Sequence, residues 1–423
     1  MEMIPQYCAT SIHEQMDLQL PLNEKRLERS FGRGARIQVF YRGQAIGEYT
    51  AGSRGRLSAP CRLDEGINPL EIQYRCGGTA VTEEAEIFYL PRPSAVVDKN
   101  DPFAFSTVAE AIAYASRQEK PSVYIAGGTY YEKLKVTVPG MVICGESTES
   151  VLITYDDFSA KVVDEATGAQ MGTFATPTFT IAEAAAGTKM YNLTLNNTYD
   201  RYKRPGFETR EERIAQGTYD IDDGLGCQAV ALRVDADRCT FRNLHLNSGQ
   251  DTLFDNINRH YFYHCRIAGD VDFIFGEAQS VYEDCDIISR DIYSLPKGYI
   301  VAPKTGIEFE FGYLFLDCRF LHTIKKPLDT VYLARPWRQD GCVFFKNCYM
   351  DEHIKAQGYT DMPSGPFYSF AEKARFYEFG SYGAGALTSP TRKIASEELA
   401  ARCTKAAVLS GNNGKYSGAW MPE

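Results

Sequence analysis

The sequence predicts an all-β protein: a parallel β-helix, or solenoid, preceded by a small antiparallel β domain. Three observations predict it. Leu244-His245-Leu246 precedes Asp251 and Cys265-Arg266-Ile267 precedes Asp272, so each aspartate follows the last apolar residue of its run by five positions, and the two lie twenty-one residues apart. Second, Leu244, Cys265, Cys285, Cys318 and Cys348 recur at intervals of 21, 20, 33 and 30 residues, each cysteine following an apolar run and a polar residue. Repeats of about twenty residues with short β-like runs are the mark of stacked coils. Third, the first 93 residues show a different pattern, with short alternating runs split by Gly and Asn turns.

Composition bounds the partners. The chain has 423 residues, 44% of them hydrophobic and 24% charged, which is long enough for a large core and more than one unit. A net charge of −10 disfavours nucleic acid and anionic membrane as partners. No run approaches the roughly eighteen apolar residues of a membrane span. Residues 1–20 carry no basic segment followed by an apolar run. The expectation is a cytoplasmic protein, or a secreted one if a signal lies outside this sequence. A monomer is expected.

Taken in order, Arg36–Tyr41, Ile46–Tyr49, Leu70–Tyr74 and Glu84–Tyr89 read as short strands of a sandwich-like accessory domain over residues 1–93, with Leu90-Pro91-Arg92-Pro93-Ser94 as linker. Residues 95–423 then form the solenoid. Phe105-Ser106-Thr107-Val108 supplies a Ser/Thr cap for a helix with Val108, Ile112 and Ala115 on one face. Val123–Ile125, Met141–Cys144 and Tyr191–Leu195 begin the coils. The polar stretch between Asn197 and Gly226 is expected to form one wall of a cleft, and longer intervals imply loops around 291–312 and 323–339. Ser396–Leu409 reads as one helix with Leu399, Cys403 and Ala406 on a face, and Trp420 as a buried anchor. The repeated cysteines read as an interior ladder of free thiols, with no CxxC or zinc pattern among the twelve.

If the coils stack, Asp251 and Asp272 lie one inter-strand spacing apart, roughly 4.8 Å. Two carboxylates that close resist ionising together, so one can hold a proton while the other stays charged. No G-x-S-x-G elbow offers a serine nucleophile. His260 and His264 sit four apart on a strand, where they share a face without converging on a metal. Asp220-Ile221-Asp222-Asp223-Gly224 resembles the front of a calcium loop, but its twelfth position is Ala231, which rules out that reading.

Gln228-Ala229-Val230-Ala231-Leu232, Gln250-Asp251-Thr252-Leu253, Asp272-Phe273-Ile274-Phe275-Gly276 and Leu333-Ala334-Arg335-Pro336-Trp337 stand in this order. Together they resemble the signature motifs of the pectin methylesterases, from about Ala95 to the C-terminus. The resemblance implies a right-handed coil closed at its start by a short capping helix. It also implies hydrolysis of methyl esters of galacturonan to methanol and free uronate, without cofactor or metal. It makes Asp272 the nucleophile, paired with and oriented by Arg335, and Asp251 the acid and then base. Gln228 and Gln250 become donors to the oxyanion, and Trp337, Phe273 and Val271 border the sugar. The implied partner is methyl-esterified pectin, or imported oligogalacturonides if the protein is cytoplasmic. One departure stands out: Ala334 replaces the family's usual glycine, and its methyl group threatens to shift Arg335 or narrow the cleft. Rival readings are a glycoside hydrolase on a similar solenoid, which also suits two close carboxylates, a non-catalytic carbohydrate-binding solenoid, and a thioesterase or other acyl-ester activity.

Overall fold

The computed structural model describes residues 24–30, 36–41, 43–50, 56–62, 66–76, 79–90, 92–200, 226–291, 298–325, 327–410, 416 and 418–422. Residues 201–225 of the cleft wall expected between Asn197 and Gly226, the calcium-like Asp220–Gly224 among them, and residues 292–297 lie outside them.

Alternation decides the N-terminal part. Ile37, Val39, Leu70 and Ile72 are buried at every second position, and the strands Gln44–Thr50, Arg36–Tyr41, Gly66–Cys76 and Thr79–Tyr89 form an antiparallel sheet in that order. Glu24–Ser30 pairs with Arg56–Arg62. Parallel pairing begins at Ala95–Val97, which lies against Ser122–Ile125.

From there the chain winds as a parallel β-helix. One face is a seven-stranded sheet: Leu134–Val136, Phe179–Ile181, Leu232–Val234, Leu253–Asp255, Val271–Gly276, Gly298–Pro303 and Val331–Ala334. A sixteen-stranded sheet turns a corner within each coil, while Val162–Asp164 with Ala169–Gln170 and Met362–Ser364 with Phe367–Ser369 form two separate antiparallel hairpins. The corner residues are Asn192, Asn243, His264, Asp284, Asp317 and Asn347, all with φ between 50° and 56°. Asn and Asp tolerate this left-handed conformation better than other side-chain-bearing residues. They stack on one another: Asn243 donates to Asn192 Oδ1 at 2.9 Å, and His264 Nε2 meets Asp284 Oδ2 at 2.6 Å.

The residue after each corner turns inward, which explains the cysteine periodicity. Leu193 and Leu244 take this place in the early coils, and Cys265, Cys285, Cys318 and Cys348 in the later ones. All four thiols are free and buried, and each donates to a backbone carbonyl of a neighbouring coil. The same corner separates the two histidines expected to share a face. His264 stays at the surface, while His260 is fully buried between Asp255 Oδ1 and the Ala236 carbonyl.

The first coil is closed by the helix Val108–Ala115, whose Val108, Ala111, Ile112 and Ala115 face the core. Thr107 accepts from the Glu110 N–H, and the Glu132 carboxylate accepts from Val108 and Ala109, so the helix end is satisfied twice over. At the C-terminus the single helix expected over 396–409 is two, Glu397–Arg402 and Lys405–Leu409. Ser396 and Thr404 each cap one, so the chain restarts after Cys403 and it is Val408 and Leu409, not Ala406, that are buried. Both helices and Trp420 pack along the outer flank, against Tyr261, Val281, Leu314 and Phe344. Arg259 secures this tail by donating to Asp237 and to the Leu409 and Gly418 carbonyls.

One buried group gives the fold an acid limit. Among the described residues neither ring nitrogen of His353 has a hydrogen-bond partner, and burial, with His322 5.0 Å away, lowers its pKa to about 3. In the unfolded chain this imidazole takes a proton below its ordinary value of 6.5, whereas in the folded chain it does not. Stability therefore falls as pH drops from about 6.5 towards 3, by at most about 1.4 kcal/mol per pH unit from this group. His353→Leu is expected to flatten the acid limb of a Tm-against-pH profile. An unchanged acid limb would show that His353 does not set it.

Candidate active site

The seven-stranded sheet places the motif residues in successive coils. The Ala229 N–H donates to the Gln250 carbonyl at 3.0 Å, and the Asp251 N–H donates to the Val271 carbonyl at 3.0 Å. Leu253 pairs with Ile274, so Asp251 and Asp272 hold equivalent places one coil apart, as their spacing predicts. Both are buried, 7% and 6% exposed, and both have left-handed backbones with φ of 66° and 48°. Such strain persists where surrounding structure imposes it and clusters at functional sites.

At Asp272 the strand bulges, and its register against Gly298–Pro303 shifts between Val271 and Ile274. A bulge re-aims side chains. This overturns the expected sugar-facing role of Phe273. Its ring is fully buried in the solenoid core together with Ile274, because the left-handed step at Asp272 breaks the alternation. Gly269 makes room for that ring, since a Cβ there would lie 2.2 Å from Phe273 Cβ. Val271 is likewise fully buried and presents no surface to a cleft.

Arg335 completes the centre. It follows Val331–Ala334, two strands from Asp272 in the sheet, so the two side chains and the hydrogen bonds between them together bridge about two inter-strand spacings, roughly 9–10 Å. It passes over the Tyr299 ring at 3.8 Å. Nε donates to Asp272 Oδ1 at 2.8 Å and Nη2 to Oδ2 at 2.7 Å, a bidentate pair with both partners buried. The departure at position 334 leaves this pair intact. Ala334 is fully buried, and its methyl group belongs to the interior core.

Gln228 and Gln250 are half-buried on the two coils preceding Asp272, and among the described residues the buried Gln228 Oε1 has no hydrogen-bond partner. The Gln228 backbone is firmly held. Its carbonyl accepts from the Ser159 N–H, the next carbonyl accepts from Ser248 Oγ, and the Val230 N–H donates to Thr176 Oγ1. Asn197 Nδ2 donates to the carbonyls of Asp157 and Val230 at 2.8 and 3.2 Å, tying the flanking excursion to this coil.

Trp337 stands at the same face, half-buried, against an aromatic strip that motif reading overlooked. Phe254 stacks on Phe275 at 4.5 Å, Phe174 on Phe254 at 5.2 Å, and Trp337 meets Phe275 edge-on at 5.7 Å. Phe174 is 54% exposed, so Phe174 and Trp337 form the outer surface and the other two their support. A signal for the pair was present: Phe254 and Phe275 each follow an aspartate of the repeat by three residues. Phe174 and Tyr299 carry no such signal.

Comparisons with known proteins agree with this geometry. A family model described as Pectinesterase matches residues 223–411. Pectinesterase A of Dickeya chrysanthemi is 32% identical over 357 residues, covering 78% of this chain and 92% of the relative. Among solved structures, pectin methylesterase PemA from Erwinia chrysanthemi superposes with a TM-score of 0.65 at 29% identity, covering 78% of this chain and 99% of its own. A crystal structure of pectin methylesterase in complex with a hexasaccharide matches with the same TM-score and coverage at 30% identity. The chain is a carboxylic ester hydrolase and belongs to the pectinesterase family.

Proposed function

We propose that this protein removes methyl groups from methyl-esterified galacturonan, using Asp272 as nucleophile and Asp251 as acid and base. The observation that carries the proposal is the bidentate Arg335–Asp272 pair set one coil from Asp251. Arg335 holds both Asp272 oxygens in one plane, which limits the carboxylate to a single direction of attack. An Asp272 oxygen bonds to the ester carbonyl carbon, and the carbonyl electrons move onto oxygen. Amide N–H groups of Gln228 and Gln250 stabilise that oxyanion; one such donor is typically worth about 3–4 kcal/mol. As the tetrahedral species collapses, the carbon–methoxy bond breaks and Asp251 gives its proton to the leaving oxygen, releasing methanol. The acyl group remains on Asp272 as an anhydride. Asp251, now the base, takes a proton from water, and the resulting hydroxide attacks the acyl carbon. The bond from that carbon to the Asp272 oxygen breaks, the product leaves as uronate with its proton lost to solvent, and both aspartates return to their starting states. Each group therefore acts twice, and no cofactor is called for. Trp337 and Phe174 offer flat faces to sugar rings beside this centre.

The test is methanol release from highly esterified pectin, with reducing ends assayed in the same samples. Methanol without new reducing ends is the expected result. Reducing ends without methanol would replace this reading with a glycoside hydrolase. Sugar binding with neither product would leave a non-catalytic binding solenoid.

A further inference from the structure

Arg335 meets Asp272 with the edge of its guanidinium, and a ring takes the face of the same group. The guanidinium carbon lies 3.8 Å from the Tyr299 ring centroid, well inside the roughly 6 Å reach of a cation–π contact. That ring has a fixed place. Tyr299 stands in Gly298–Pro303 opposite Val271, and its N–H donates to the Asp270 carbonyl at 3.2 Å. It is therefore anchored beside the bulge that carries Asp272. On its other side it stacks on Tyr332 of the next coil, with centroids 5.7 Å apart and planes 8° from parallel. Lys355 closes the far end, 5.2 Å from the Tyr332 centroid, and its Nζ donates to the Asp329 carbonyl at 2.7 Å. The order is cation, ring, ring, cation.

This column lies on the outward side of the sheet. Val331 and Leu333, which flank Tyr332, belong to the interior core, as do Ile300 and Val301 after Tyr299. Tyr299 is nevertheless only 6% exposed, so its contact with the guanidinium is shielded from water. Edge and face contacts restrain different motions. The two hydrogen bonds to Asp272 fix distance and direction within the guanidinium plane. They leave the pair free to tilt out of that plane, and a ring against the face opposes the tilt. A guanidinium is weakly hydrated and stacks readily on aromatic faces, so covering one side costs little solvation.

We propose that Tyr299, backed by Tyr332, is a positioning residue for the nucleophile. Its ring sets the tilt of the Arg335 guanidinium, and the guanidinium sets the direction from which Asp272 attacks. The inference rests on the reading of Asp272 as nucleophile. Tyr299 acts through Arg335 and needs no contact with ester or sugar, so its removal should slow the chemical step without weakening substrate binding.

The test grades the electron density of the ring while nearly conserving its shape. Phenylalanine bearing one, two or three fluorine atoms is placed at position 299, which weakens a cation–π contact stepwise. The kcat for methanol release is expected to fall with each fluorine, by about tenfold across the series, while KM for pectin moves by less than about twofold. Tyr299→Leu removes the face and should lower kcat about ten- to thirtyfold, and Tyr299→Phe should recover most of that loss. A kcat indifferent to fluorine would show that the ring only fills space, and a KM rising as kcat falls would show that it binds sugar; either result overturns the positioning role. Circular dichroism melts of Tyr299→Leu, alone and on Arg335→Gln, read the contact without turnover. The loss of Tm caused by Tyr299→Leu should shrink when Arg335 is absent, and an undiminished loss would show that ring and guanidinium are not coupled. Native and Asp272→Asn proteins are assayed in parallel. Similar methanol release from both would sink the nucleophile reading, whereas loss in Asp272→Asn with a fluorine-insensitive kcat would sink only the role of Tyr299.

Discussion

Asp272→Asn is expected to lower methanol release by about 10⁴-fold or more, the usual scale for removing a nucleophile. The amide has nearly the same size as the carboxylate, so packing in the bulge survives. It lacks the charge and the electron pair needed to form the anhydride. It also places an N–H against one of the two Arg335 donors that now meet Oδ1 and Oδ2 at 2.8 and 2.7 Å. One charge-assisted hydrogen bond becomes a donor–donor contact, which should cost about 1–3 kcal/mol of stability. A circular dichroism melt will separate that loss from the catalytic one. Binding of an esterified oligomer should persist, because Trp337 and Phe174 are untouched. Residual turnover within about tenfold of the native rate would remove Asp272 from the role of nucleophile. Hydroxylamine offers an independent check, since it traps an acyl-aspartate formed during turnover as a uronyl hydroxamate when it attacks the sugar acyl carbon in place of water, or as a hydroxamate at residue 272 when it attacks the aspartyl carbon.

Arg335→Gln is expected to have the second largest effect, and it acts on stability and rate together. It leaves the Asp272 carboxylate, 6% exposed, without its bidentate partner. Breaking a buried pair by removing one member typically costs about 3–5 kcal/mol. It also frees the carboxylate to rotate, so attack geometry is lost in addition. A shorter or single-point cation will not substitute, because the side chain must cross the coil of Gly298–Pro303 and lie over Tyr299 before reaching Asp272. The double variant Asp272→Asn with Arg335→Gln discriminates between mechanisms. With both charges gone, no uncompensated carboxylate remains, so stability should recover relative to Arg335→Gln alone while activity stays absent. Strictly additive losses would show that the two residues do not act as a unit.

Much of this architecture was legible because a solenoid writes its geometry locally. The step from one coil to the next is nearly constant in length between Leu244 and Cys285, so equivalent residues appear at intervals of 21 and 20 in plain text. That periodicity alone places Asp251 and Asp272 one coil apart and the cysteines on an interior ladder. Side-chain direction was less legible. Phe273 turns into the core because Asp272 adopts a left-handed backbone, and periodic reasoning assumes an unbroken alternation. The C-terminal helix failed as a single element for a similar reason: Thr404 caps a second helix where apolar spacing predicted continuation.

The sequence by itself determined the coil, its repeat, the order of the motifs and the pairing of two aspartates across neighbouring turns. These are local or near-neighbour properties, set by residue type and spacing. The resemblance already implied that Arg335 pairs with Asp272, but only the tertiary structure decided that this residue, sixty-three positions further on, grips both carboxylate oxygens across an intervening strand. It alone placed Phe174 over Phe254 and set Arg338 between two aromatic rings. Those contacts join segments whose separation depends on inserted loops of irregular length, and no period in the chain encodes where such loops bring their ends.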